Sequence, residues 1–68
     1  MERLVNKIRI LRAEKDISQE TLSKAVGVSR QTVVAIEGGG YSPSVALALK
    51  IARYFGKPME EVFTIEDA

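Results

Sequence analysis

Ser18 to Gly39 reads SQETLSKAVGVSRQTVVAIEGG. It holds two short amphipathic segments with a tight break at Val26-Gly27-Val28. Each segment opens on a serine: Ser18 precedes Gln19-Glu20, and Ser29 precedes Arg30-Gln31-Thr32. A serine hydroxyl there accepts from an orphan amide of the first turn, which stabilises a helix start by about 1 kcal/mol. Leu22, Ala25 and Val26 form one apolar stripe, and Val33 and Ile36 form another. Gly27 falls where the chain must turn sharply, and a positive φ there carries no Cβ penalty for glycine. The spacing predicts a helix, a three-residue turn and a second helix.

If Val33 and Ile36 point inward, Arg30, Gln31, Val34 and Ala35 point outward, with Thr32 at the flank. Arg30 and Gln31 then stand at the exposed start of the second helix. A guanidinium can pair both major-groove acceptors of a guanine, and a glutamine amide can pair the N6/N7 edge of adenine. An Arg-Gln-Thr start on a protruding helix suits a major groove.

The stretch, with the basic segment NKIRILRAEKDIS before it and PSVALALKIARYFG after it, resembles the Cro and phage-repressor helix-turn-helix family, also called the xenobiotic-response-element type. Gln19, Ala25, Gly27, Val28-Ser29 and Ile36-Glu37 agree with that family in order and spacing. The resemblance implies an all-α, five-helix DNA-binding domain over residues 1–68, with its recognition helix at about 29–37. It implies sequence-specific binding of double-stranded DNA by a cytoplasmic transcriptional regulator, a repressor. The implied contacts are Gln19, Ser29, Arg30, Gln31, Thr32, Val34, Ala35, Gly40, Tyr41 and Ser42. Gln19 would lie on the DNA backbone, where a helix start favours phosphate. Gly39 matches the family's loop glycine. Gly38 and Gly40 depart from the pattern, which more often has Asn or a basic residue at these places. The departure removes possible cations, yet free amides in a glycine loop could bind phosphate directly.

The bulk composition sets limits. The chain has 68 residues, no Cys and no His, which excludes a disulfide framework and the commonest general base and metal ligand. No cofactor or small-molecule substrate is expected, and no catalytic constellation is present, so an enzyme is not expected. No apolar run approaches the roughly 20 residues needed to span a bilayer, and the start is not a signal peptide. The net charge of +1 hides an asymmetry. Residues 1–57 hold all ten Lys and Arg against five acids, whereas residues 58–68 hold four acids and no base.

Outward from the central stretch, residues 2–15 read as a first helix on the spacing of Leu4, Ile8 and Leu11, with Val5 beside them. Pro43 suits the first turn of a fourth helix, which either Ser42 or Ser44 can cap. Val45, Ala48, Ile51, Ala52 and Phe55 are its buried stripe, and Gly56 ends it. Pro58 starts a short last helix with Glu60 and Glu61 in its first turn. The expected core is Ile8, Leu11, Leu22, Ala25, Val33, Ile36, Ala48, Ile51, Ala52, Phe55, Val62 and Phe63. Thr64-Ile65 has extended character but is too short to be a strand alone. Met59, Val62, Phe63 and Ile65 exceed what one short helix buries in its own core. A homodimer through this tail is therefore expected, with Thr64-Ile65-Glu66 able to pair with its symmetry mate. The competing arrangement is a monomer whose tail folds over its own first helix. The competing function is a protein-interaction module on the same scaffold, such as an antitoxin-like partner or bridging factor.

Overall fold

Both serine caps form as read. In the computed structural model, which describes residues 1–67, Ser18 Oγ accepts from the Thr21 amide at 3.0 Å and starts α2 (Gln19–Val26). Ser29 Oγ accepts from the Thr32 amide at 3.2 Å and starts α3 (Arg30–Glu37). Gly27 closes α2 at φ 78°, and its amide donates to Ser23 O at 2.9 Å. The Val28 amide donates to the same carbonyl, so the turn is tied down before α3 begins. Before this pair lies α1 (Ile8–Lys15), closed by Asp16 in the left-handed region. After it come α4 (Val45–Phe55) and the one-turn α5 (Met59–Val62).

The all-α expectation needs correction. Residues 2–6 are a strand, β1 (Glu2–Asn6), and it pairs antiparallel with β2 (Phe63–Asp67). Leu4 stands opposite Ile65 and Val5 opposite Thr64, pairs of the kind that stabilise sheets. Asn6 ends the strand. Its Oδ1 accepts from the Ile8 amide at 3.1 Å, and its Nδ2 donates to Ile36 O at 2.9 Å. Asn6 stands just ahead of Lys7, the N-cap of α1, which makes no side-chain capping bond. The β2 segment thus pairs within its own chain, not with a symmetry mate as expected for Thr64-Ile65-Glu66.

The core joins Ile8, Leu11, Leu22, Val26, Val33, Ile36, Ala48, Ile51, Ala52, Val62 and Phe63. Two expected members are not in it. Ala25 is exposed, because the inward face of α2 runs through Leu22, Ser23 and Val26. Ser23 is admitted because its Oγ donates to Glu20 O at 2.7 Å, so no buried hydroxyl is left unpaired. Phe55 is half-buried and packs against the core edge. Val45, expected inside, is 69% exposed on the first turn of α4. That helix is capped by Ser44, whose Oγ accepts from the Leu47 amide at 3.1 Å, so Pro43 lies just outside it. No helix of the described residues is long and apolar enough to cross a membrane.

Candidate nucleic-acid interface

The outward face of α3 follows from its inward one. Val33 and Ile36 are buried, so the helical period turns Gln31 to solvent, and Arg30 is exposed beside it as the first residue of the helix. Neither side chain has a hydrogen-bond or ion-pair partner among the described residues, so both are free to meet a ligand. Val34 is 42% exposed, and Ala35 and Thr32 are half-buried at the flanks. Thr32 is held: its Oγ1 lies 3.0 Å from Ser29 Oγ.

A groove of about 390 Å³ runs between this helix and the loop after it. Ser29, Gln31, Thr32, Ala35, Gly40 and Tyr41 line it, so the fold brings together six of the ten expected contact residues. Tyr41 and Ser42 also line a second cleft, of about 370 Å³, between this loop and β1.

The glycine loop is less open than its sequence suggests. The Gly38 amide donates to Val34 O, Gly39 to Ile36 O and Gly40 to Ala35 O, at 3.0, 3.1 and 3.0 Å. These bonds finish the helix end. The expected free amide at Gly40 is therefore occupied. The amides of Tyr41 and Ser42 have no partner among the described residues and remain available to an anion.

Gln19 stands apart from the groove. It is half-buried, and its Nε2 donates to Glu37 Oε1 at 3.3 Å. Glu37 is the residue the sequence reading did not assign. Its side chain is 2% exposed, and it accepts from Arg12 Nε at 2.6 Å and Nη2 at 3.1 Å. The remaining Arg12 nitrogen, Nη1, donates to Ile17 O at 3.0 Å. The hydrogen-bonded carboxylate holds the Arg12 guanidinium above its usual range. The result is a clamp between α1, the start of α2 and the end of α3. One signal pointed to it. A carboxylate at a helix C-terminus opposes the dipole, and α3 has no base in its last turn to offset it. Among the described residues, no group of three or more His, Cys, Asp or Glu is arranged to hold a metal ion.

The helix-turn-helix family profile matches residues 8–62. An uncharacterised HTH-type transcriptional regulator of Methanocaldococcus jannaschii is 52% identical over 91% of this chain and 94% of its own length. The cryptic phage CTXphi transcriptional repressor RstR of Vibrio cholerae is 39% identical over 84% of this chain and 51% of its own. Among solved structures, the restriction-modification controller protein C.AhdI of Aeromonas hydrophila superimposes with a TM-score of 0.75 at 34% identity. That match covers 81% of this chain and 83% of the controller protein.

Proposed function

The chain belongs to the helix-turn-helix family, and from that premise we propose that it is a sequence-specific DNA-binding regulator of transcription, a repressor, acting as one domain in the cytoplasm. The observation that carries this reading is the exposed Arg30-Gln31 pair at the first turn of α3, whose side chains have no partner among the described residues. Arg30 pairs a guanine and Gln31 an adenine in the major groove. Val34 or Ala35 touches a thymine methyl, and Thr32 and Ser29 sit beside them. Gln19, with the Tyr41 and Ser42 amides, fixes the helix on the phosphates. The named relatives are regulators and a repressor, which lends nothing to the protein-interaction alternative and makes no case for an enzyme. The test is selection of bound duplexes from a random pool. A short common motif is expected, and a bound pool without sequence preference would refute base reading.

The regulator works as a homodimer, since one recognition helix reads only a short site and a twofold reads half-sites about 34 Å apart. Support lies in an apolar groove of about 570 Å³ lined by Leu4, Pro43, Val45, Met59 and Ile65 among others. Val45 and Ile65 are 69% and 60% exposed there, a burden that an isologous contact with a second copy removes. Val62, by contrast, is spent on the chain's own core, and Phe63 is mostly buried there while it also lines the groove. Sedimentation equilibrium at micromolar concentration should show a dimer that Val45→Glu dissociates. A monomer for the unmodified chain would end this part of the reading.

A further inference from the structure

We propose that Arg9 is a DNA-backbone contact, held beside Gln19 by Glu37 and released to a phosphate on binding. This rests on the DNA-binding reading above. Several cations of the chain are already committed. Arg12 gives two bonds to Glu37, Lys24 pairs with Glu20 at 3.3 Å, and Lys15 lies over the Tyr54 ring at 5.4 Å. Arg9 is different. Its Nε is 3.8 Å from Glu37 Oε1, too far for a hydrogen bond, and its side chain is 79% exposed. Gln19 Nε2 donates to that same oxygen at 3.3 Å. The Arg9 guanidinium and the Gln19 amide therefore flank one atom, next to the start of α2, where a phosphate would sit.

Charge argues the same way. Glu37 is neutralised by Arg12, so Arg9 adds a surplus positive charge to this corner of the molecule. Its ion pair with Glu37 is long and its Arg9 end is exposed, so the guanidinium is held only weakly. A phosphate offers the same guanidinium a two-pronged hydrogen bond and the release of condensed counterions. The loop on the other side of α3 offers no such group, because residues 38–42 contain no Lys or Arg. With Arg30 engaged on a base, the phosphate beside Gln19 falls to Arg9.

The experiment is fluorescence anisotropy of the full chain on two labelled duplexes, one of random sequence and one selected for preferred binding, from about 50 to 200 mM salt. Arg9→Gln is expected to reduce the slope of log K against log salt by about one per protomer on both duplexes. The affinity ratio between the duplexes should stay unchanged, and Arg9→Lys should keep the slope. Lys57→Gln, in a cleft shared with Glu14 and Glu61, should leave it untouched. An unchanged slope in Arg9→Gln would overturn the proposal, as would an equal drop in Lys57→Gln or a loss confined to the preferred duplex. A wild-type chain without salt-dependent binding would instead overturn the DNA-binding reading itself, a result visible before any variant is made.

Discussion

At its first turn α3 presents Arg30 and Gln31, exposed and with no side-chain partner among the described residues; at its last turn it presents Glu37, 2% exposed and held by Arg12 and Gln19. The two ends lie on one eight-residue helix. On the proposed function, the difference separates reading from positioning within one small domain. The side chains proposed to exchange water for a base edge are left without partners among the described residues. The side chain that fixes the helix angle is desolvated and saturated with bonds. Between them, Val33 and Ile36 anchor the helix in the core. A change at one end should therefore move stability, and a change at the other should move binding alone.

The largest expected effect is at the locked end. Glu37→Ala leaves the Arg12 guanidinium in a site built for a pair, and removing one partner of a buried pair costs about 3–5 kcal/mol. Arg12 is 16% exposed and gains some water, which places the expectation near the lower figure, about 3 kcal/mol. For a domain of this size that is a large share of total stability. Urea melts measure it, and a loss under about 1 kcal/mol would show that the clamp behaves as a surface pair.

Arg30→Ala is the matched change at the free end. It should lower binding by about 1–3 kcal/mol at the preferred base, with non-specific affinity mostly retained. Its melting curve should shift by no more than about 0.5 kcal/mol, since no described residue holds the side chain. Equal losses on every sequence would make Arg30 a phosphate contact. A large loss of stability would break the division between the two ends.

The free end was legible in the sequence and the locked end was not, for a physical reason. Ser18, Gly27, Ser29 and the stripe of Val33 and Ile36 act over a few residues, so their spacing states the helix, the turn and the outward face. The partner of Glu37 lies 25 residues earlier, at Arg12, and no local spacing reports such a contact. The sheet is hidden in the same way. Leu4 keeps helical spacing with Ile8, but its partner is Ile65 near the other end of the chain. A two-stranded sheet has little stability outside its tertiary contacts, and neither segment alone announces it. Asn6 was the overlooked clue, a residue suited to capping set between an apolar pair and the helix. Ala25 misled because Val26 beside it fits the same period, and a small side chain packs on either side of that boundary. Gly40 misled because a glycine's sequence shows its freedom but not whether its amide is already bonded.

The smallest effect is expected in the loop beyond the locked end. Gly40 is the position where a cation should be introducible without strain. Its φ is not in the left-handed region, and a Cβ there would meet only Ala35 O at 3.8 Å, an ordinary contact. Gly39 offers no such latitude, with φ at 82°. Gly40→Lys also narrows the unfolded ensemble, so stability should hold or rise by about 0.4–1 kcal/mol. Gly40 lines the groove beside Gln31 and Tyr41, which would place the new ammonium where the backbone passes α3. The salt slope of binding should steepen by about one per protomer. Combined with Arg9→Gln, the same lysine should return the slope to the wild-type value, because each change alters the phosphates neutralised by one. An unchanged slope in Gly40→Lys would mean that the loop lies off the DNA. The backbone would then be gripped only on the side of α2, where Gln19 meets Glu37.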